Sequence, residues 1–365
     1  MLAEAPAQDK PRPDGGWAQA LETLRDAVIV PPVESAFQQP AGILRADGSY
    51  CDTGAFWRNH RPLTTAPSAP GQVDETLEGR WLWAGVLWVH FGHFLVESTG
   101  RLWGLDAIRD RFDGILYMPK RPARGDEIAG WQRAFWQMCG IDLPVRVLTE
   151  PARVETLVVP GQGFGLGEII SGTPAFRDYM ASRFAKDIAP DGPERLYLSR
   201  SKLGLSKGGL IGETRLEEQL AQHGYEIFHP QDHDLPTQIA RYKAARQVVA
   251  AEGSALHLFG FVGRPDQQVA TVLRRQSGAT DQIAEHLRSF CGIEMLQIER
   301  LQRIFRKTGG HKKRHDLGVI HMDGVREELA AQGFIAEGGA PWDKIRWNEV
   351  RRVIGNRYEP RKRED

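Results

Sequence analysis

The residues best suited to chemistry in this chain fall into three groups. The first is Ser199-Arg200, with Lys202 close behind, directly after the apolar run Leu196-Tyr-Leu198. In open α/β sheets, ligands bind outside the carboxyl ends of strands. An arginine there can grip a diphosphate through two parallel hydrogen bonds. The plainer alternative is a solvated charge cluster behind a strand. The second group is Ala250-Ala-Glu-Gly-Ser-Ala-Leu-His257. A buried strand would end at Ala251, and Gly253 would allow a tight turn or close ligand approach. Ser254 would cap the next helix, whose free N–H groups suit phosphate. The same strand–Gly–Ser–helix order also builds αβ units that bind nothing. Glu252 stands where a carboxylate accepts from ribose hydroxyls or serves as a structural cap.

The third group is His90-Phe-Gly-His93-Phe-Leu-Val-Glu97-Ser-Thr-Gly-Arg101. His93, Glu97 and Arg101 are four apart and would share one helix face. A histidine at a helix start, backed by a glutamate one turn on, suits a general base. The bland reading is an ion-pair ladder. A metal reading of His90, His93 and Glu97 lacks the spacing of a helical HExxH site. Asp232-His-Asp234 reads as a surface loop. Gly161 to Gly167 lacks GxxxxGK[ST] and reads as a hinge. His311, His315 and His321 show no ligand spacing. Trp81, Trp83 and Trp88 read as core, with one free to stack on a sugar ring.

These groups need a scaffold, and the hydrophobic pattern supplies one. Strand-like runs at 27–31, 42–50 (with Asp47-Gly48 as a hairpin turn), 81–89, 114–118, 145–148 and 156–159 alternate with helical stretches at 93–109 and 126–139. After the glycine-rich connection, a helix at 175–184 leads into a second series. Its strands are expected at 196–198, 225–228, 247–251, 269–273 and 294–297, and its helices at 216–223, 235–244 and from 255. Alternation of this kind implies mostly parallel sheets covered by helices. The expected organisation is a disordered N-terminus at 1–16, a Rossmann-like domain at 17–165, a second at 166–302, and a helical C-terminal extension at 303–365.

The chain has 365 residues, which suits two domains. Lysine plus arginine balance aspartate plus glutamate at 47 each, which argues against a nucleic-acid partner. The three cysteines form no CxxC pair, so neither a structural zinc nor a disulfide framework is expected. The N-terminus has no signal-peptide core and no apolar stretch is long enough to span a bilayer. A cytoplasmic protein is expected, with peripheral attachment to a membrane left open.

Taken in order, His93-Phe-Leu-Val-Glu97, Leu196-Tyr-Leu-Ser-Arg200, Leu210-Ile-Gly-Glu213, Gln238-Ile239 and Gly253-Ser-Ala-Leu-His257-Leu-Phe259 resemble glycosyltransferase family 61 over roughly His90 to Phe261. That family includes bacterial capsular-polysaccharide enzymes, plant xylan xylosyltransferases and animal O-linked N-acetylglucosaminyltransferases. The chain has Gly212 where the family often has asparagine, and Gly208 where it often has arginine. The resemblance implies a GT-B-like α/β fold, two Rossmann-like domains facing a cleft. It also implies inverting, metal-independent transfer from a nucleotide sugar, a UDP-sugar foremost, to a glycan or polysaccharide acceptor, with no further cofactor. His93, supported by Glu97, would be the base, with Glu97 as the alternative base. Ser199, Arg200, Lys202, Glu213, Glu252, Gly253, Ser254 and His257 would line the donor. Two rivals stand beside this. One is a non-catalytic nucleotide- or glycan-binding protein on a degenerate transferase fold, motivated by Gly208 and Gly212. The other is a hydrolase or metalloenzyme built on His90, His93 and Glu97.

Overall fold

Buried apolar runs become parallel strands here, and helices cover them. The computed structural model describes residues 11–310 and 312–361, and the chain divides into two compact units, up to Lys186 and from Asp187 on.

In the first unit the strands are β1 (Leu21–Val30), β2 (Gln39–Pro40), β3 (Gly42–Leu44), β4 (Trp57–Arg58), β5 (Arg61–Pro62), β6 (Thr64–Thr65), β7 (Glu75–Leu87), β8 (Gly114–Pro119), β9 (Val145–Val147) and β10 (Ala152–Pro160). Six of them form one sheet in the order β3-β1-β10-β7-β8-β9. β7, β8, β9 and β10 are parallel, while β1 runs antiparallel to both β10 and β3. The sheet is therefore mixed. Its parallel part, read in chain order, has the 3-2-1-4 arrangement of a mononucleotide-binding half, which reverses direction between β7 and β10. β7 is buried at every position from Trp81 to Leu87, as expected of a strand covered on both faces.

The stretch expected as one helix from His93 to Arg109 is broken. A single α turn, α1 (Phe91–His93), passes into a π-helical turn, Phe94–Ser98, and a separate short helix, α2 (Gly104–Ala107), follows. Helices α3 (Gly130–Met138) and α4 (Pro174–Arg183) complete this unit. The glycine-rich run 161–167 is no hinge and no boundary. Gly163 N–H donates to Gly100 O at 2.8 Å, Thr173 N–H donates to Gly163 O at 2.7 Å, and Phe164 stacks on Phe176 of α4 at 4.9 Å. The glycines serve close backbone approach inside the first unit, so the division lies beyond α4. Of the expected disordered N-terminus, residues 1–10 lie outside the described residues. Arg12 bridges Gly15, and Trp17 packs edge-on against Trp57, so order begins earlier than expected.

The second unit contains β11 (Arg195–Leu198), β12 (Gly209–Ile211), α5 (Glu213–Gln222), β13 (Glu226–Phe228), α6 (Leu235–Ala244), β14 (Gln247–Ala251), α7 (Ala255–Phe259), β15 (Gln268–Val272), α8 (Ala279–Cys291) and β16 (Leu296–Ile298). Five strands form an all-parallel sheet in the order β13-β11-β14-β15-β16. In chain order this is 2-1-3-4-5, a doubly wound arrangement with its switch point between β11 and β14. Helix α8 went unread in the sequence, although Ile283, Leu287 and Cys291 recur at helical spacing on its buried side.

The extension from 303 is not simply helical. β17 (Leu301–Lys307), β18 (Leu317–Ile320) and β19 (Tyr358–Pro360) join β12 in a four-stranded sheet ordered β12-β18-β17-β19, with α9 (Met322–Ala331) and α10 (Trp347–Ile354) beside it. β17 has one buried residue, Phe305, among charged neighbours, so its strand pattern is hidden in the sequence. His311 and residues 362–365 lie outside the described residues. No helix among the described residues is long and apolar enough to cross a membrane.

Candidate functional site

Each unit gathers charged residues at the carboxyl end of its switch-point strands. In the first, β7 ends at Leu87 and the chain runs through Trp88 into α1 and the π-helical turn. Single π turns recur at functional sites because the inserted residue re-aims side chains. His93 and Glu97 do meet: His93 Nδ1 lies 2.7 Å from Glu97 Oε2. Arg101 does not join them. After Ser98 the chain turns, and the Arg101 guanidinium donates to Thr53 O, Ala55 O and Pro160 O in the interior. Burial pulls its pKa down to about 10.

Arg58 of β4 takes the place expected for Arg101. Its Nε donates to Glu97 Oε1 and its Nη2 to Glu97 Oε2, both at 2.6 Å, a bidentate pair. The Glu97 side chain is fully buried. Burial alone would raise its pKa, but the hydrogen bonds from His93 and Arg58 outweigh that and hold it below the ordinary 4.5. An ionised Glu97 favours the tautomer with the proton on His93 Nδ1 and the lone pair on Nε2. The contact of Arg58 Nη2 with His93 Nδ1 at 3.3 Å is then two donors side by side. Trp88 stacks on the His93 ring at 4.5 Å, and Arg58 lies over Trp88 at 5.1 Å. The imidazole is thus held on its face and at one nitrogen, with a quarter of the side chain exposed. His90 packs edge-on to His93. No group of three or more His, Cys, Asp or Glu among the described residues is arranged to hold a metal ion.

In the second unit, the ends of β11 and β14 come together. A Cβ placed on Gly253 would stand 2.7 Å from Arg200 Nη1, so the glycine is what lets the guanidinium lie against this backbone. Ser199 is buried. Its Oγ accepts from Ser201 N–H at 3.0 Å and donates to Glu217, which shapes the turn after β11. Glu213, the first residue of α5, accepts from Arg200 N–H at 2.6 Å, and burial raises its pKa. It orients the Arg200 loop from behind.

Glu252 is fully buried. Arg275 donates to its Oε1 from Nε at 2.8 Å and from Nη2 at 2.7 Å. Arg274 donates from Nε to the Glu252 carbonyl at 3.2 Å. Lys202, His257 and Ser254 are the other residues expected at the donor. Lys202 is exposed and paired with Asp232 at 3.1 Å. His257 is buried with its Nδ1 3.1 Å from Nδ1 of His286 on α8. Ser254 makes no capping hydrogen bond, and α7 beyond it spans five residues, a weak dipole. Arg274 and Arg275 were missed, although they follow β15 just as Ser199-Arg200 follows β11. For Arg58 no sequence signal exists, because its role depends on a two-residue strand brought to the end of β7.

Gly212 sits at φ +99° as the N-cap of α5, and a Cβ there would come within 2.6 Å of Ile345. Gly208, at φ +69°, lies against Arg314 O and Arg274. Both departures from the family pattern answer a backbone requirement.

Residues 91–270 match the family model of Glycosyltransferase 61. The match supports that family for this chain. It spans His93, Glu97, Ser199, Arg200 and the Glu252–His257 stretch, and it stops short of Arg274 and Arg275. No curated protein matches the chain. The Glycosyltransferase 61 match supports glycosyl transfer as the activity, with a sugar donor and an acceptor as partners.

Proposed function

We propose that the protein is an inverting, metal-independent glycosyltransferase that moves a sugar from a nucleotide sugar, a UDP-sugar foremost, to a glycan or polysaccharide acceptor. One observation carries the donor assignment: Arg200 and Gly253 converge at the switch point of an all-parallel sheet, where the fold offers backbone N–H groups and a guanidinium to one ligand. A GT-B arrangement, a cytoplasmic setting and a role in capsular polysaccharide assembly are part of this reading.

The step is a single displacement. The acceptor oxygen attacks the anomeric carbon, the bond from that carbon to the diphosphate oxygen breaks, and configuration inverts. His93 Nε2 takes the acceptor proton, and the nucleoside diphosphate leaves against the arginines. The charge that builds on the leaving oxygen is stabilised by preorganised donors, which supports a reaction without a metal.

Titration of the full-length protein with UDP, GDP and CMP tests the donor half. UDP should raise the melting temperature and Arg200→Ala should abolish the effect; no binding to any of the three would sink the reading. In a transfer assay, His93→Ala should lower kcat by roughly 100- to 10,000-fold, the range for a general base, with UDP affinity kept. Near-normal turnover would remove His93 from the mechanism.

A further inference from the structure

The residues around Glu252 form an arrangement that charge balance alone leaves unfinished. The guanidiniums of Arg275 and Arg274 approach one fully buried carboxylate, that of Glu252, and the guanidinium of Arg200 lies against the next residue, Gly253. The Arg274 and Arg275 side chains are 5% and 13% exposed. Among the described residues, the other nearby carboxylates not tied to another arginine are Glu213, which accepts from the backbone N–H of Arg200 rather than its guanidinium, and Glu217, which accepts from Ser199 Oγ. Asp316 near Arg274 is already paired with Arg361 at 2.6 Å. Of the three guanidiniums, that of Arg275 alone is hydrogen-bonded to a carboxylate, and a buried cation is costly unless an anion compensates it. Burial pulls Arg274 down to about 9, the direction expected of a cation that lacks full compensation.

Of the unpartnered buried atoms, Arg200 Nε is a donor left for an anion, while Glu252 Oε2 is an acceptor that an anion does not satisfy. Arg275 spends Nε and Nη2 on the same carboxylate oxygen and keeps Nη1. Arg274 is anchored differently. Its Nη1 donates to Arg314 O at 2.9 Å and its Nε to the Glu252 carbonyl, so it braces the wall of the site.

We propose that Arg275, held side-on by Glu252, is a second diphosphate ligand beside Arg200, with Glu252 and Arg274 as positioning residues, so that the site selects a nucleoside diphosphate over the monophosphate. This rests on the donor reading above but names residues that lie outside the matched segment 91–270. Glu252 tethers Arg275 in the orientation a diphosphate oxygen needs, as a carboxylate tethers an arginine through its fixed fork.

Isothermal titration of the full-length protein with inorganic pyrophosphate, UDP and UMP tests it. Wild type should bind pyrophosphate, and bind UDP at least tenfold tighter than UMP. Arg275→Met should lose about 10- to 100-fold on pyrophosphate and UDP, the worth of a charge-assisted hydrogen bond, with UMP changed less than threefold. If Arg275→Met does not fold, Arg275→Lys keeps the charge without the fork and should still lose at least fivefold on pyrophosphate. Either variant binding both ligands as wild type does overturns the proposal. Glu252→Gln separates positioning from neutralisation. It adds a net positive charge, so tighter pyrophosphate binding would overturn the positioning role, whereas weaker binding supports it. Wild type that binds pyrophosphate but no nucleoside diphosphate would keep the anion site and sink the nucleotide-sugar reading. UDP binding that is indifferent to Arg275 would do the reverse.

Discussion

At Glu97 a carboxylate without access to water keeps its charge because three hydrogen bonds from Arg58 and His93 replace its hydration. Its pKa lies below the ordinary 4.5. A depressed carboxylate contributes stability that is present above pH 4.5 and lost as pH falls through its folded value. Glu97→Gln should therefore be less stable than wild type at pH 7, and the gap should narrow as the pH is lowered below 4.5. Denaturant titrations of both proteins between pH 7 and pH 3 check this; a gap that stays constant with pH would mean that Glu97 is not charged in the fold. The same residue was legible in the sequence as a partner of His93 through its i,i+4 spacing. Arg58 was not, since it is far away in the chain.

Elements show what local sequence can and cannot tell. The helix expected from His93 to Arg109 had the right apolar spacing at its start, but the π turn at Phe94–Ser98 depends on packing beneath β7, which no local pattern records. The N-cap of α5 is a second case. Gly212 takes φ +99°, where a side chain is strained, and a Cβ would meet Ile345 of the C-terminal extension. Gly212→Ala should destabilise the protein by about 1–3 kcal/mol, read as a lower urea midpoint at unchanged slope. It should also weaken UDP binding, because Glu213 beside it holds the Arg200 backbone. A melt equal to wild type would refute the strain.

At the scale of the molecule, the C-terminal extension is part of the second unit and not an appendage. Phe305, Leu317, Val319, Ile320 and Trp342 share one core with Tyr197, Leu216 and Val249, and β12 pairs with β18 at the edge of its sheet. Removing a large buried side chain costs about 2–5 kcal/mol, and a domain has about 5–15 kcal/mol in all. A chain cut after residue 302 should therefore lose the cooperative melt of the second unit and bind no UDP. A folded, UDP-binding truncation would show that the extension is dispensable.

The sequence by itself determined the αβ alternation of both units, the strand ends that carry Ser199-Arg200 and Glu252-Gly253-Ser254, and the His93–Glu97 pair, since each is written in local periodicity or short spacing. Only the tertiary structure decided which of these meet. Strand order brought Arg200 against Gly253 and left Lys202 with Asp232 and His257 with His286. It also added Arg58, Arg274 and Arg275, which reach their carboxylates from separate strands. The physical reason is that a sheet's order, not its sequence neighbours, sets which carboxyl ends share a crevice, and a buried charge is balanced by whatever that order brings beside it.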